Sequence, residues 1–392
     1  MSKTLQDIAQ KLNAPRTVKN KKVTEVEVVK QVPKVQLIYA FNGTGKTRLS
    51  REFKQLVAPK GFGEGDEEKS SRNKFLYYNA FTEDLFYWDN DLEEDAAPKL
   101  KIQPNTYTDW LLTLLKDLGQ DGNIVKYFQH FANDKLTPHF SEDFTEITFT
   151  LERGDDKGTE PLKISKGEES NFIWSVFYTL LDQVIEVLNV AEPSDRETDQ
   201  FDQLEYIFID DPVSSLDDNH LIELAVNLAG LIKSSQSNLK FIVTTHSPLF
   251  YNVLYNELNS KACYLLERFE DGTFELLDKY GDSNKSFSYH LYLKQTLENA
   301  IAENKVQKYH FTLLRNLYEK TASFLGYPKW SELLPDDKQA YLNRIIQFTS
   351  HSTLSNQVVA EPSGPEKNTV ALLLNHLVSN YGYWQQEEEQ HG

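Results

Sequence analysis

Leu37-Ile38-Tyr39-Ala40-Phe41-Asn42-Gly43-Thr44-Gly45-Lys46-Thr47-Arg48-Leu49 is the stretch on which the fold turns. The apolar run Val35 to Tyr39 has the composition of a buried strand. It enters a loop of small residues, and a helix is expected over Thr47 to Leu56. Strand, glycine-bearing loop and helix in that order make a phosphate-binding loop, whose backbone N–H groups point at phosphate oxygens. Asn42, Gly43, Thr44 and Gly45 would cradle the phosphates, Lys46 would reach the β and γ positions, and Arg48 follows in the helix. Thr47 would offer its hydroxyl to Mg²⁺. Glycine at 43 and 45 lets the backbone come close without a Cβ. The first glycine usual in such loops is replaced by Ala40, which is still small. A glycine-rich turn without a ligand would read the same way on its own, so the remaining motifs decide.

The chain is 392 residues long, enough for two or three domains. Its 26% charged and 40% hydrophobic residues are those of an ordinary globular protein. No apolar run is long enough for a transmembrane helix, and the polar segment Met1 to Lys34 lacks the apolar centre of a secretory signal. A single cysteine, Cys263, excludes an intrachain disulfide and fits a cytoplasmic protein. The net charge of −18 argues against non-specific binding to bulk nucleic acid, though not against a local basic site. The acidic runs Glu64 to Glu68, Asp89 to Asp95, Glu192 to Asp202 and Glu387 to Glu389 read as solvated loops.

Residues 1–30 are expected to form a mobile or lightly packed arm. Strands are expected at Lys74 to Asn79, Tyr206 to Ile209 and Leu239 to Thr245. An edge or half-buried strand is expected at Phe144 to Arg153. Helical periodicity marks Thr106 to Leu118, Glu168 to Val190 and His220 to Ser234. Strands alternating with helices imply an α/β sheet over 31–264. A last hairpin is expected around Asp271-Gly272. From Phe287 to Ser350 the sequence is almost wholly helical, broken at Gly326-Tyr327-Pro328, and a final helix spans Glu366 to Asn380. The shift to helices alone sets a domain boundary at 264/265.

The strand Tyr206 to Ile209 ends in Asp210-Asp211. Asp210 would hold Mg²⁺, and Asp211 stands where many ATPases place a glutamate that polarises the attacking water. Pro212-Val213-Ser214-Ser215-Leu216-Asp217 follows, and Thr244-Thr245-His246-Ser247-Pro248 ends the next strand. Upstream, Ile164-Ser165-Lys166-Gly167-Glu168-Glu169 precedes the long helix, where Ser165 and Gly167 could donate to a second γ-phosphate. Ser165 with Glu168 three residues on is also a capping box, and His246 also fits a strand-end histidine held by the backbone. As an ordered set these motifs resemble the ABC-type ATPases, especially the branch of chromosome-maintenance and double-strand-repair ATPases. That resemblance implies a head-to-tail homodimer in which the loop of one subunit faces Ser165–Gly167 of the other, His246 senses the γ-phosphate and Asp217 bridges subunits. The signature departs from Leu-Ser-Gly-Gly-Gln, and no long coiled coil separates the halves, which argues against DNA tethering.

In the helical region Arg315 and Glu319 lie four apart on one helix face, and His351 sits among small polar residues near a helix break. A surface ion pair and a loop histidine explain them separately. Together they match metal-independent RNA cleavage, which needs a base for the ribose 2′-OH, an acid for the leaving 5′-oxygen and a cation at the phosphorane. The stretches Ala40 to Ser50, Phe208 to His220, Arg315 to Lys320 and Phe348 to Ser352 strongly resemble the PrrC family of bacterial anticodon nucleases, over nearly the whole chain. The family's triad falls on Arg315, Glu319 and His351. The resemblance implies an α/β ABC-type P-loop NTPase domain (31–264) followed by a mainly helical, HEPN-like nuclease domain (265–392). It implies ATP or GTP with Mg²⁺ at the NTPase site, and cleavage of tRNA-Lys 5′ of the wobble base to 2′,3′-cyclic phosphate and 5′-OH ends. It also implies latency beside a type I restriction-modification enzyme and release in antiviral defence. The family's anticodon-recognition stretch matches Lys279 to Lys294, with Asp282, Ser283, Lys285, Tyr289 and His290 as RNA contacts; an ordinary loop leading into a helix fits that stretch equally. The alternative function is a DNA-sensing ABC-type ATPase whose helical region only docks partners.

Overall fold

The computed structural model describes residues 3–19, 28–59, 74–79, 85–89, 98–132, 134–151, 160–212, 218–279, 289–349 and 362–383. Two compact units divide the chain, Met1–Asp282 and Ser283–Gly392. The strands in chain order are β1 (Arg16–Lys19), β2 (Val28–Gln31), β3 (Val35–Tyr39), β4 (Phe75–Asn79), β5 (Phe86–Asp89) and β6 (Lys99–Ile102). They continue with β7 (Leu136–Phe140), β8 (Glu146–Leu151), β9 (Tyr206–Asp210), β10 (Lys240–Thr245), β11 (Ala262–Arg268) and β12 (Phe274–Asp278).

The main sheet has the order β12-β11-β3-β10-β9-β4. All neighbours run parallel except β12, which returns antiparallel to β11. Tyr39 pairs with Thr245 and with Leu265, while Thr244 and Asn79 both pair with Asp210. The carboxyl ends of β3, β9 and β10 are therefore level, which is the edge where open α/β sheets bind ligands. The central strands are buried on both faces, hence their unbroken apolar runs.

One face of the sheet is covered by the helices Leu5–Asn13 and Lys46–Val57. Leu5, Ile8, Ala9 and Leu12 join Leu49, Phe53, Ile38, Phe208 and Ile242 in a single core. The expected loose arm over 1–30 is thus corrected for its first half. Apolar residues spaced at helical intervals give that helix a face to bury, and a Thr4–Asp7 capping box fixes its start. Leu5 extends this core to the phosphate loop itself: a Cβ added to Gly45 would stand 3.7 Å from Leu5 Cδ1.

A second, antiparallel sheet has the order β5-β6-β8-β7. It makes β8 an internal strand rather than an edge, and the expected half-buried alternative is the one found, with Ile147 and Phe149 buried and their neighbours partly exposed. The helix Lys166–Asn189 is buried around most of its circumference. Phe172 meets Phe149 of β8 at 5.2 Å and Phe128 of the helix Asp121–Phe131 at 5.6 Å. Phe177 meets Tyr78 of β4 at 4.3 Å. Several of its buried polar residues are matched within the fold, as in Gln183 accepting from Gln120 Nε2 at 2.7 Å, whereas Ser170 Oγ and Trp174 Nε1 have no hydrogen-bond partner among the described residues.

The first unit ends later than the expected boundary at 264, because that position lies inside β11. The hairpin β11–β12 turns at Gly272, with φ +81°, and completes the main sheet. Cys263 of β11 is fully buried, and burial pushes its thiol up to about 12. The second unit has helices Tyr289–Ala302, Lys308–Leu325, Lys338–Thr349 and Gly364–Asn380 around Leu297, Phe311, Leu317, Ile345 and Leu373. Phe311 stacks on Phe348 at 4.3 Å, and Tyr318 Oη donates to the Leu373 carbonyl at 2.8 Å. Gly326, at φ +80°, stops the second of these helices at the expected break.

Truncating Ile8 or Leu12 tests whether the N-terminal helix belongs to the core. Ile8→Ala and Leu12→Ala should each lower unfolding free energy by about 2–5 kcal/mol in denaturant titration. A change within about 0.5 kcal/mol, the size seen at exposed surface sites, would restore the loose arm.

Candidate functional site

The loop after β3 is held at both ends. The Ala40 amide donates to the Thr245 carbonyl at 3.0 Å, and the Thr44 amide to the Phe41 carbonyl at 3.2 Å. Gly43 (φ +80°) and Gly45 (φ +112°) occupy the left-handed region. A Cβ on Gly43 would meet nothing within 4 Å, so backbone angle itself calls for glycine there. Ala40 is not among the residues with positive φ, so the place of the family's first glycine asks nothing of its backbone that alanine lacks. Lys46 is buried; its Nζ lies 3.1 Å from Asn42 Oδ1 and 3.4 Å from Asp211 Oδ2. Arg48 points its guanidinium over the ring of Phe274 at 5.9 Å.

Asp210 ends β9 with its side chain almost wholly buried. Thr47 Oγ1 donates to its Oδ2 at 2.6 Å, Thr244 Oγ1 to its Oδ1 at 2.5 Å, and Tyr77 Oη reaches Oδ2 at 3.3 Å. Burial raises its pKa, and the bonds from Thr244 and Thr47 pull the other way without cancelling that. Thr47 and Asp210 thus meet directly, and an all-oxygen pair suits a hard cation such as Mg²⁺.

Asp211 takes a left-handed backbone, φ +55°, sparsely populated for a residue with a side chain. Its Oδ2 is 2.5 Å from His246 Nδ1, and its Oδ1 accepts from the His246 amide at 3.3 Å. Burial works to raise its pKa, but the His246 bond and the Lys46 charge outweigh it and hold the carboxyl below its ordinary value. Lys46, Asp211 and His246, on three different segments, form one charged cluster.

At the signature, Ser165 caps the helix Lys166–Asn189: its Oγ accepts from the Glu168 amide, and its own amide donates to Glu168 Oε2 at 2.7 Å. The capping box and the signature are the same residues. Gly167 lies in the first turn. The next carboxylate, Glu169, is buried between Lys166 Nζ at 2.7 Å and Trp88 Nε1 at 2.9 Å. The Lys163 ammonium stands over that indole at 5.6 Å. Trp88 and Glu169 give no signal in the sequence. They are far apart in the chain, and β5 runs directly into an acidic stretch that reads as loop.

In the helical unit, Arg315 Nε donates to Glu319 Oε1 at 2.7 Å, both half-buried, and the guanidinium lies 5.9 Å from the Trp330 ring. Trp330 opens a short 3₁₀ turn, Trp330–Leu333, and packs edge-on to Tyr318. Trp330 carries no motif signal either. Tyr289 and His290 begin the helix Tyr289–Ala302. His351, Asp217, Asp282, Ser283 and Lys285 lie outside the described residues.

The two aspartates have opposite pH signatures. Asp211, with its pKa depressed, adds stability above the ordinary value of 3.8 and loses it as pH falls through its folded value. Asp210, with its pKa raised, costs stability as pH rises from 3.8 through its folded value. Asp210→Asn should therefore raise the melting temperature relative to the parent at pH 7 and lose that advantage near pH 3. Calorimetry at both pH values checks the sign; a variant less stable at pH 7 would contradict it.

No family model matches the chain. It is 75% identical over 394 residues to a curated anticodon nuclease of Escherichia coli, covering 99% of this chain and 100% of that one. Among solved structures, cbiO1 from Clostridium perfringens, part of the ABC transporter complex cbiONQ, is 11% identical, covering 73% of this chain and 94% of its own at a TM-score of 0.35. An SMC head domain from Thermotoga maritima is 11% identical, covering 68% and 97% at a TM-score of 0.30. Scores this low leave the α/β P-loop fold to rest on its own strand order and loop. Three-quarters identity sustained from end to end of both chains makes this protein a member of the anticodon nuclease family.

Proposed function

We propose that the protein is an NTP-gated, metal-independent tRNA endoribonuclease that cuts tRNA-Lys 5′ of the wobble base. The single observation that carries this is the Arg315–Glu319 pair on an accessible helix face, in a chain that aligns throughout with an anticodon nuclease. Glu319 and His351 share two proton transfers. One removes the ribose 2′-OH proton, so that the 2′-oxygen attacks the neighbouring phosphorus. The other protonates the 5′-oxygen as its bond to phosphorus breaks, leaving a 2′,3′-cyclic phosphate and a 5′-OH. Arg315 meets the charge that builds on the phosphorane. The nucleophile exists only in RNA, so DNA is spared by chemistry. Asp282, Ser283, Lys285, Tyr289 and His290 are the proposed anticodon contacts.

ATP or GTP is bound by residues 42–48 in a head-to-tail dimer, with Ser165, Gly167 and Asp217 contributed across the interface. Mg²⁺, when held by Thr47 and Asp210, neutralises phosphate charge. Asp211 orients the attacking water and His246 reads the γ-phosphate. A γ-phosphate would compete with Asp211 for Lys46 and His246, which gives the nucleotide a differential contact with which to bias two states. The family resemblance adds a type I restriction-modification enzyme as the silencing partner, antiviral defence as the setting and the cytoplasm as the location. Among the described residues no helix is long and apolar enough to cross a membrane.

Arg315→Ala, Glu319→Gln and His351→Ala should each reduce anticodon-loop nicking by about 10²–10⁴-fold, with NTP turnover intact. Nicking by the parent should persist in EDTA once the gate is open, and sequencing of the RNA ends should find cyclic phosphates. Nicking that survives all three substitutions would sink the assignment.

A further inference from the structure

Arg315 is held from two sides. Its Nε donates to Glu319 Oε1 at 2.7 Å, one turn on along the helix Lys308–Leu325. Its guanidinium also lies over the Trp330 ring, 5.9 Å from the centroid and within cation–π range. That ring is not on the helix. Gly326 ends the helix in the left-handed conformation, the Tyr327 amide closes on the Ala322 carbonyl at 2.9 Å, and the chain returns to the 3₁₀ turn Trp330–Leu333. What Trp330 packs on fixes it there. It meets Tyr318 edge-on at 6.3 Å, and Tyr318, fully buried, donates its Oη to the Leu373 carbonyl at 2.8 Å. Leu333, three residues on, has no exposed surface. The indole is therefore tied to the core of the helical unit, while the side chains of Arg315 and Glu319 are 38% and 37% exposed.

The two contacts answer differently to the reaction. Glu319 shares the proton transfers, so whether it serves as base or as acid it is neutral at one stage. A neutral carboxyl no longer attracts the guanidinium as an ion, and the hydrogen bond loses its charge assistance. The face of the Trp330 ring keeps its negative potential whatever the protonation of Glu319. We propose that Trp330 is a positioning residue of the cleavage site: its ring holds the Arg315 guanidinium in place while Glu319 is protonated, so that the positive charge still meets the phosphorane. A long side chain released by its partner would otherwise drift, and small misplacements cost rate. Trp330 itself touches no reacting atom. The inference rests on the reading of Arg315 and Glu319 as the cleavage pair.

The test uses the full-length protein and a tRNA-Lys anticodon stem–loop, with cutting followed in single turnovers and protein in excess. Trp330→Leu should lower the rate at saturating protein by about two- to thirty-fold, the rate equivalent of one cation–π contact. The half-saturating protein concentration should not move. Trp330→Phe, which keeps an aromatic face, should recover most of the rate. In an Arg315→Ala background the Trp330→Leu change should cost nothing further, because the ring acts only through the guanidinium. Should Trp330→Leu fail to fold, tryptophans of increasing ring fluorination placed at position 330 decide instead. They keep the shape and drain the ring face of negative potential, and the rate should fall step by step. A rate unchanged by Trp330→Leu, or indifferent to fluorination, overturns the proposal. So does an equal loss with and without Arg315, which makes the ring a packing residue alone. A loss confined to half-saturation overturns it too, and makes the ring a substrate contact. Failure of the cleavage-pair reading looks different: Arg315→Ala would then cut as the parent does.

Discussion

The Asp210 carboxylate is buried where a lone charge would cost several kcal/mol, and the structure answers with hydroxyls from three directions. Thr47 comes from the helix after the loop, Thr244 from the neighbouring strand and Tyr77 from the strand on the other side. Hydrogen bonds to a charged group are worth about 1.5–3 kcal/mol each, so the match fixes more than one side chain. It pins the register of β4, β9 and β10. A slip of one residue would present Ile209 or Asp211 to those hydroxyls and turn every neighbour to the wrong face. The left-handed backbone of Asp211 follows from the same constraint. The chain must leave a buried carboxylate and at once deliver a second one to Lys46 and His246.

Much of the first unit is legible in the sequence because parallel strands buried on two faces read as continuous apolar runs. Val35–Tyr39, Tyr206–Asp210 and Lys240–Thr245 announce themselves in that way, and the hairpin does so through Asp271-Gly272. The phosphate loop is legible because its chemistry is local: glycines with positive φ, a lysine and a hydroxyl within a few residues. The N-terminal helix is not, since four apolar residues in a short polar stretch mean little until a partner face is known. Of the antiparallel sheet only β8 is legible, through the strand expected at Phe144 to Arg153; β5, β6 and β7 are short and give no such run. The boundary expected at 264 falls early because strand alternation stops before the sheet does; β12 completes it in the antiparallel sense.

The candidate sites divide along the same line. Arg315 and Glu319 are neighbours by helix geometry, so sequence spacing finds them. Trp330 reaches Arg315 only because the helix stops at Gly326 and the chain reverses. Glu169 and Trp88 are joined by tertiary packing alone, across 81 positions of sequence. Through that tie the aromatic cluster of the second sheet holds the first turn of the long helix, the turn that begins with Ser165.

Cys263 has a practical consequence. Burial pushes this thiol up to about 12, which keeps it protonated at pH 7, and the thiolate is the species that attacks alkylating reagents. Lodged in β11, with its Sγ donating to the Ser260 carbonyl at 3.2 Å, it is also out of reach of bulky electrophiles. The native chain is therefore chemically quiet towards maleimides. A cysteine engineered at any exposed position would be the sole handle for a dye or spin label, and distances between labelled copies could be followed without first removing the natural one.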